Sequence, residues 1–408
     1  MKRDFPAENM KISECRLIFL IVFFNIIAPV FAQRAVQPWW LSLEQGKIKF
    51  RSKDYGTALL LFEDARRDRR AMYEQMERDI ISLLSVNEVR RIGDALDRVE
   101  RYSYDRHYTA ACAAFEELYY RIPKSSFNNS AASALKAFDK LKDYPEAEYW
   151  IGEIYRIEGE MSLALVQYRK AYDMREVLEN AGFSVELQYK IAGVLKTRQD
   201  YNEMERTYLS IINNLDTFWL NARSAESNHA DNTNNDGRNS TPVPYAQASA
   251  SFANQAMTRT LENEGIGRFL EFYRYNNSIV EPAHRQLGFF YAATGRPTAQ
   301  QHLMFAFLIQ NSIIIEEITK RQFDFKFTGL SALAEEINKN ALLLSYIDEV
   351  EYYKTAYYLG ASLYRNGKPA IARNFWEFLA SQSQAGEWHS RASVQLRNPR
   401  LEPIVEKP

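Results

Sequence analysis

The chain has 408 residues, of which 46% are hydrophobic and 25% are charged, as in a soluble globular protein with a large core. Its 51 basic and 52 acidic residues nearly cancel, so no net field attracts the chain to nucleic acid or to an anionic membrane. Glycine and proline are scarce, at 16 and 13 residues, which favours helices. We therefore expect an all-helical protein with no nucleic-acid partner.

The N-terminus, residues 1–32, is typical of a signal peptide. Lys11 and Arg16 precede the apolar run LIFLIVFFNII, and the small residues Val30 and Ala32 form a cleavage site. This apolar stretch is shorter than the roughly 20 residues that span a membrane. We predict export to a bacterial periplasm, cleavage after Ala32 and no membrane insertion afterwards. The alternative is an uncleaved N-terminal anchor.

Residues 147–172, AEYWIGEIYRIEGEMSLALVQYRKAY, predict a helical hairpin. Apolar residues recur at helical spacing on both sides of a Glu-Gly-Glu interruption, which is typical of a turn. Gly152 and Ala164 are small where the two helices must approach most closely, and Tyr155 and Tyr168 fill the space beside them.

The pattern Ile-Gly-x2-Tyr followed by Ala-x3-Tyr resembles the tetratricopeptide repeat, whose signature is Leu-Gly-x2-Tyr and then Ala-x3-Phe. The resemblance implies a right-handed superhelical solenoid of antiparallel helix hairpins, in which the first helix of each hairpin lines a concave groove. Full or partial matches occur in six units, at residues 39–65, 92–123, 147–172, 185–211, 281–307 and 353–379.

The spacing of the units predicts an irregular solenoid. Ala58, Ala111 and Ala164 occupy the same position of three hairpins and are 53 residues apart, as 164 − 111 and 111 − 58. A tandem array has a period of about 34 residues. Each interval therefore has room for an inserted helix, at 76–89 in the first and at 130–141 in the second.

The chain is predicted to divide into two helical lobes. Residues 39–215 form an N-terminal solenoid, and residues 246–396 form a C-terminal lobe that ends in a capping helix at 387–396. Between them, residues 221–244 are rich in Asn, Ser and Asp and are predicted to be a disordered loop, because they cannot bury enough apolar surface to offset the entropy of ordering. Residues 397–408 form a tail.

Two shorter features belong to the C-terminal lobe. In the helix predicted at 246–275, Phe269, Leu270 and Phe272 are expected to form a core face. The segment 323–327, FDFKF, lies between two helical stretches and is ambiguous.

No motif for catalysis or metal binding is present. The five His residues form no HExxH pair, and no Gly-x-Ser-x-Gly elbow occurs. We predict no catalytic, cofactor-binding or metal-binding residue and no cofactor, hence a protein that is not an enzyme. Carboxylate pairs such as Glu116-Glu117 leave open the alternative of a cell-wall hydrolase built on a helical solenoid.

The resemblance implies which side chains face the groove. These side chains are aromatic or charged, and Tyr and Arg are enriched at binding hot spots. The candidate partner-binding residues are Tyr149, Glu153, Arg156, Tyr189, Lys196, Tyr357, Tyr364 and Arg365. We therefore predict a cell-envelope scaffold that binds a protein or peptide. The alternatives are an envelope enzyme and a permanent structural subunit of an envelope complex. Exposed aromatics without a partner, or aromatics covered by inserted helices, would explain the same pattern.

Overall fold

The computed structural model describes residues 38–84, 141–215 and 245–401, and in these ranges the regular secondary structure is helical, with no strand. The expected all-α fold class is thereby confirmed. The α-helices of the described residues are α1 (Trp39–Arg51), α2 (Tyr55–Leu84), α3 (Pro145–Ile157), α4 (Met161–Asp173), α5 (Phe183–Thr197), α6 (Tyr201–Leu215), α7 (Tyr245–Phe272), α8 (Glu281–Ala293), α9 (Ala299–Arg321), α10 (Leu330–Asn338), α11 (Ala341–Glu349), α12 (Tyr352–Arg365), α13 (Pro369–Ser381) and α14 (Glu387–Arg397).

Some predicted features lie wholly or largely outside the described residues. They are the signal peptide at 1–32, the hairpin at 92–123, the inserted helix at 130–141, the loop at 221–244 and most of the tail at 397–408. These features stay predictions.

Five pairs of consecutive helices are joined by the same tight turn. Each turn contains one residue in the left-handed region, with φ between 62° and 85°. The N–H of the next residue donates to the carbonyl five positions earlier, as in a Schellman helix end. The left-handed residues are Lys53, Gly159, Gln199, Gly295 and Gly367, and the hydrogen bonds run from Asp54 to Lys49, Glu160 to Tyr155, Asp200 to Leu195, Arg296 to Tyr291 and Lys368 to Leu363, at 2.8 to 3.0 Å. The hairpins predicted at 39–65, 147–172, 185–211, 281–307 and 353–379 are therefore present.

The chain forms two compact units, Met1–Leu187 and Gln188–Pro408. The division falls inside α5, whereas the sequence placed the break between lobes at 221–244.

The first unit is built around the contacts of α1, α2 and α3. Trp39, Phe62 and Tyr144 belong to one buried apolar cluster. Arg69 is fully buried beside it, where its Nε donates to the Leu141 carbonyl at 3.0 Å and its guanidinium lies 4.7 Å from the ring centres of both Trp39 and Tyr144. The arginine stem and the aromatic rings thus tie the α2 helix to the start of the next hairpin.

The sequence interpretation is wrong about where α2 ends. This helix continues past Ala65 to Leu84 without interruption. As far as the structure describes it, the inserted helix predicted at 76–89 is an extension of the second helix of the hairpin. A continuous polar and apolar helical pattern cannot by itself mark a division between two collinear helices.

In the second unit each hairpin contacts the next. Helix α6 contacts α8, α9 contacts α12, and α14 packs on α13, so the predicted capping helix is confirmed. Helix α9 likewise runs on to Arg321 rather than ending at the hairpin.

Helix α7 lies across α9 and α13 and bends at Gly265, whose φ is 85°. Phe269 and Leu270 are fully buried, as predicted. Phe272 is 59% exposed, so its assignment to the core was wrong. It lies at the last turn of the helix, where Arg268 covers its ring at 4.6 Å.

Candidate partner-binding surface

Four of the five hairpins place a glycine of the first helix against a large side chain of the second. A Cβ atom at Gly152 would lie 2.8 Å from the Tyr168 ring, and one at Gly288 would lie 2.6 Å from Leu303. The pairs are Gly46 with Phe62, Gly152 with Tyr168, Gly288 with Leu303 and Gly360 with Phe375. These close contacts fix how each first helix is rotated about its own axis.

The candidate residues occupy equivalent positions relative to this contact. Tyr149 and Tyr357 lie three residues before the glycine, and Arg156 and Tyr364 lie four residues after it. In α5 the fully buried Ala192 takes the place of the glycine, which puts Tyr189 and Lys196 at the same two offsets.

In the first unit, the structure brings Tyr149, Glu153 and Arg156 together on α3. Glu153 accepts hydrogen bonds from Arg156 Nη2 at 2.8 Å and from the Tyr168 hydroxyl at 2.5 Å. The Tyr149 hydroxyl donates to Glu186 at 3.0 Å. Glu153 is buried, while about 40% of the Arg156 side chain is exposed.

Burial and neighbouring carboxylates shift the proton equilibria of this group. Burial raises the pKa of the Tyr149 hydroxyl, and the charges of Glu153 and Glu186 raise it further. Burial also raises the pKa of the Tyr168 hydroxyl, and its hydrogen bond to Glu153 raises this pKa further. The hydrogen bond to Glu153 raises the pKa of the Arg156 guanidinium. Both tyrosines therefore stay protonated donors, and the group is a fixed polar network.

The structure corrects the expected accessibility of Tyr149. Its side chain is only 6% exposed, because the residues after the hairpin return over α3. The ring of Phe183 lies 4.7 Å from the Tyr149 ring in an edge contact, and Glu186 holds its hydroxyl. Tyr149 is thus covered by the chain's own next helix.

Tyr189 and Lys196 connect two hairpins of the second unit. The Tyr189 hydroxyl donates to the Ile279 carbonyl at 2.6 Å, and Lys196 Nζ donates to Gln286 at 3.1 Å. Burial raises the pKa of Tyr189. Both side chains are half-buried and contribute to the contact between α5 and the region of α8.

Tyr357 is also covered. It is 1% exposed, and the Trp388 ring lies 5.4 Å from it while the Arg391 guanidinium lies 4.8 Å above its face. Both covering residues belong to the capping helix α14. A helix added at the end of the array thereby removes this position from solvent.

Tyr364 lines a pocket of about 230 Å³ beside the capping helix. Its ring lies 5.5 Å from that of Trp376, and its hydroxyl donates to the Pro399 carbonyl at 3.4 Å. Arg373 stands at the same pocket. Arg365 lies apart from this pocket lining, against the turn at Gly295, where a Cβ atom would come within 2.7 Å of its Nη1.

Sequence reasoning missed a cluster of aromatic and cationic side chains on the second unit, which we call the aromatic band. The Phe289 ring lies 5.7 Å from Tyr358, which lies 5.8 Å from Trp388. Lys354 Nζ stands 4.7 Å from the Phe289 ring, and Arg391 stands 4.8 Å from the Trp388 ring. Phe289 immediately follows Gly288, as Glu153 follows Gly152, so the repeat register could have identified it. Trp388 lies outside the repeat, so its position in the sequence does not identify it in this way.

A buried ionic group lies beside the band. Arg285, three residues before Gly288, pairs with Glu281 at 2.9 Å and with Glu351. Burial raises the pKa of Glu281, although the positive charge of Arg285 acts to lower it. Gln310 donates to Glu281 at 2.7 Å and to the Val350 carbonyl at 2.9 Å, which joins α8, α9 and the start of α12.

Within 38–84, 141–215 and 245–401, no group of three His, Cys, Asp or Glu side chains could hold an ion. His284 and His302 are both buried, with their Nδ1 atoms 3.1 Å apart, and they join the two helices of one hairpin.

No protein-family model matches the chain. A protein of Treponema pallidum (strain Nichols), described only as uncharacterized, is 23% identical over 365 residues, which cover 89% of this chain and 90% of the relative. The similarity therefore extends over nearly the full length of both chains.

In the part of the chain that the structure describes, no helix combines the length and the apolar character needed to cross a bilayer.

Proposed function

We propose that the protein is an exported scaffold of tetratricopeptide-like hairpins, stacked as an irregular solenoid, that binds a protein or peptide along its first helices. The observation that carries this proposal is the recurrence of one hairpin geometry. Five hairpins share the same turn, and four of them share the approach of a glycine to a bulky side chain. Successive contacts between hairpins in the second unit agree with a stacked array.

The aromatic band is the best-supported partner surface. Phe289, Trp388 and Arg391 are each half-buried, so the free chain already orients them while leaving part of each ring or guanidinium accessible. Aromatic and Arg side chains held in this way lose little conformational entropy on binding, which makes them effective anchors. Tyr357 and Tyr358 form the buried floor of the band.

The pocket beside Tyr364 extends this surface at the capping helix. Its volume suits a single side chain of a partner rather than a large cofactor. Tyr364, Trp376 and Leu396 provide apolar walls, and Arg373 provides a cation for a polar group of the same partner. We assign to it an apolar side chain of a bound peptide segment.

The tyrosines among the remaining candidate residues stabilise their own units instead of contacting the partner through their rings. Tyr149 and Tyr357 are buried, and Tyr189 is held by the Ile279 carbonyl. Arg156 and Lys196 keep partly accessible charges at the edges of the first helices.

Site-specific photocrosslinking tests the surface in the cell. A benzophenone side chain placed at Phe289 or Trp388 should give one discrete covalent adduct on irradiation, identified by mass spectrometry. The same group at Leu60, which is 63% exposed on α2 and distant in sequence from the band, is the matched control. Adducts of equal yield at Leu60, or no adduct at either band position, would contradict the proposal.

A second measurement uses the captured partner. Phe289→Ala and Trp388→Ala should each weaken its binding by about 2 kcal/mol or more, some thirtyfold in affinity, if they are hot spots. Leu60→Ala should leave the affinity unchanged. Thermal unfolding of each variant separates lost contacts from lost folding.

A further inference from the structure

The segment 323–328, FDFKFT, belongs to neither the hairpins nor the aromatic band. It connects α9 to α10, and Phe323 at its start is 98% exposed, more than any other large hydrophobic side chain of the described residues. Phe325 and Phe327 are only half-buried, and Asp324 and Lys326 are exposed. A phenylalanine at every second position is the pattern of a strand with one apolar face.

The backbone of this segment is largely unpaired. In the described structure its one backbone hydrogen bond runs from the Phe325 N–H to the Gln322 carbonyl, at 3.0 Å. Among the described residues, the N–H groups of Asp324 and Lys326 donate to no protein acceptor. Residues 323 and 324 form a turn here, but once the segment extends, its exposed unpaired groups form an edge to which another strand can add.

The two ends of the segment are held in place. Gln322 donates to Glu336 at 3.0 Å, and its N–H donates to the Ile318 carbonyl at 2.8 Å. The Arg274 guanidinium lies 5.6 Å from the Phe327 ring. The segment is therefore presented at a defined position, and less entropy is lost when it pairs.

Its sequence is complementary to itself in the antiparallel direction. When two copies pair with Phe325 opposite Phe325, Asp324 of each strand lies opposite Lys326 of the other, and Phe323 lies opposite Phe327. Opposite charges directly across an antiparallel pair stabilise it, and aromatic pairs do the same. A two-fold axis through Phe325 makes both strands equivalent, as a symmetric dimer requires.

The hydrogen-bonding pattern agrees with this register. With the Phe325 pair at a site without mutual hydrogen bonds, Asp324 and Lys326 form the hydrogen-bonded pairs, which use their unpaired N–H groups. When the segment extends, the turn hydrogen bond from the Phe325 N–H to the Gln322 carbonyl is lost, and about four hydrogen bonds form between the chains. The partner's Phe327 then shields the exposed Phe323.

We propose that residues 323–327 form a self-complementary strand through which two copies of this chain associate as an antiparallel dimer. The occupant of the exposed edge is thus a second copy of the protein. Because a two-stranded ribbon alone is marginally stable, the association is weak and depends on concentration.

Exchanging the charges at Asp324 and Lys326 tests the pairing of the two strands. The purified full chain is measured by sedimentation velocity at about 5 to 500 µM, a range suited to weak association. The wild type should shift from monomer to dimer. Asp324→Lys makes each charged pair across the dimer a pair of lysines, and Lys326→Asp makes each a pair of aspartates. Each single variant should therefore raise the dissociation constant about tenfold or more. An equimolar mixture of these two variants should regain the dimer, because every opposed pair is then attractive.

The matched control is Glu335→Lys, which makes the same change of charge as Asp324→Lys on an exposed position of α10. It should dimerise like the wild type. All substituted positions are exposed, and circular dichroism melts verify that each variant is folded. Wild type that stays monomeric, single variants that still dimerise, or a mixture that stays monomeric each overturns the proposal. Monomeric protein that sediments with phosphatidylcholine vesicles through Phe323 would assign the segment to a lipid surface instead.

Discussion

A methyl group at Gly152 would lie 2.8 Å from Cε1 of Tyr168, so only glycine lets α3 and α4 approach as closely as they do. The ring of Tyr168 is fully buried, and its hydroxyl is held by Glu153. The ring cannot move aside without breaking that hydrogen bond. The close approach and the polar network on the first helix are therefore parts of one arrangement.

Gly152→Ala should lower the free energy of unfolding by about 1 to 3 kcal/mol, because overpacking outweighs the gain in helix propensity. Urea denaturation followed by circular dichroism measures the change. Gly193→Ala is the matched control, since a Cβ atom there meets nothing within 4 Å. That variant should be unchanged or stabilised by up to about 1 kcal/mol. Equal effects of the two substitutions would disprove the close-packing argument.

Tyr149→Ala and Tyr357→Ala should each destabilise the protein by about 3 kcal/mol or more, because both rings are buried among other aromatic rings. Tyr149→Phe keeps the ring and removes only the hydrogen bond to Glu186, so it should cost about 1 kcal/mol. Thermal and urea unfolding distinguish these cases. Alanine variants as stable as the wild type would mean that the positions are open to solvent, as the sequence predicted.

Glu146→Gln should raise stability at neutral pH. Burial raises the pKa of Glu146 above its ordinary value of 4.5, although the Glu179 N–H donates to its Oε1 at 2.9 Å. Its Oε2 is buried, and in the described structure it has no hydrogen-bond partner. Since the folded state binds the proton more tightly, this group lowers stability as the pH rises from 4.5 through the raised pKa.

Urea unfolding between about pH 4 and pH 8 checks this effect. The stability difference between Glu146→Gln and the wild type should be small near the lower limit, grow through the window above 4.5 and then level off. Glu158→Gln changes an exposed carboxylate at the end of α3 and serves as the control, with no such growth. A constant difference at every pH would exclude the proposed titration.

The exported form of the protein should begin at Gln33. Cleavage after Ala32 is a prediction from the small residues at Val30 and Ala32, and residues 1–32 lie outside the described structure. Intact mass spectrometry of protein recovered from the envelope fraction of its host measures the N-terminus. A mass that retains the apolar run would favour the uncleaved anchor.

Helical periodicity and small residues were sufficient to locate the five hairpins of the described residues. Gly152, Gly288 and Gly360 marked the close approaches in the sequence, because helix contact at that distance excludes a side chain. The turns at Gly159, Gly295 and Gly367 could be predicted for a related reason, since a left-handed backbone favours glycine. Local sequence therefore determined the helical class, the hairpins and their turns.

Which candidate side chains are accessible was decided only by tertiary structure. Tyr149 is covered by Phe183, and Tyr357 is covered by Trp388. In each case the covering residue lies some thirty residues away along the chain. The aromatic band likewise joins Phe289 of α8 to Trp388 of α14 through Tyr358. The position of a residue in the repeat predicts which way its side chain points relative to its own hairpin. Whether that side chain is buried depends on which later helix packs over it, and long-range packing decides this.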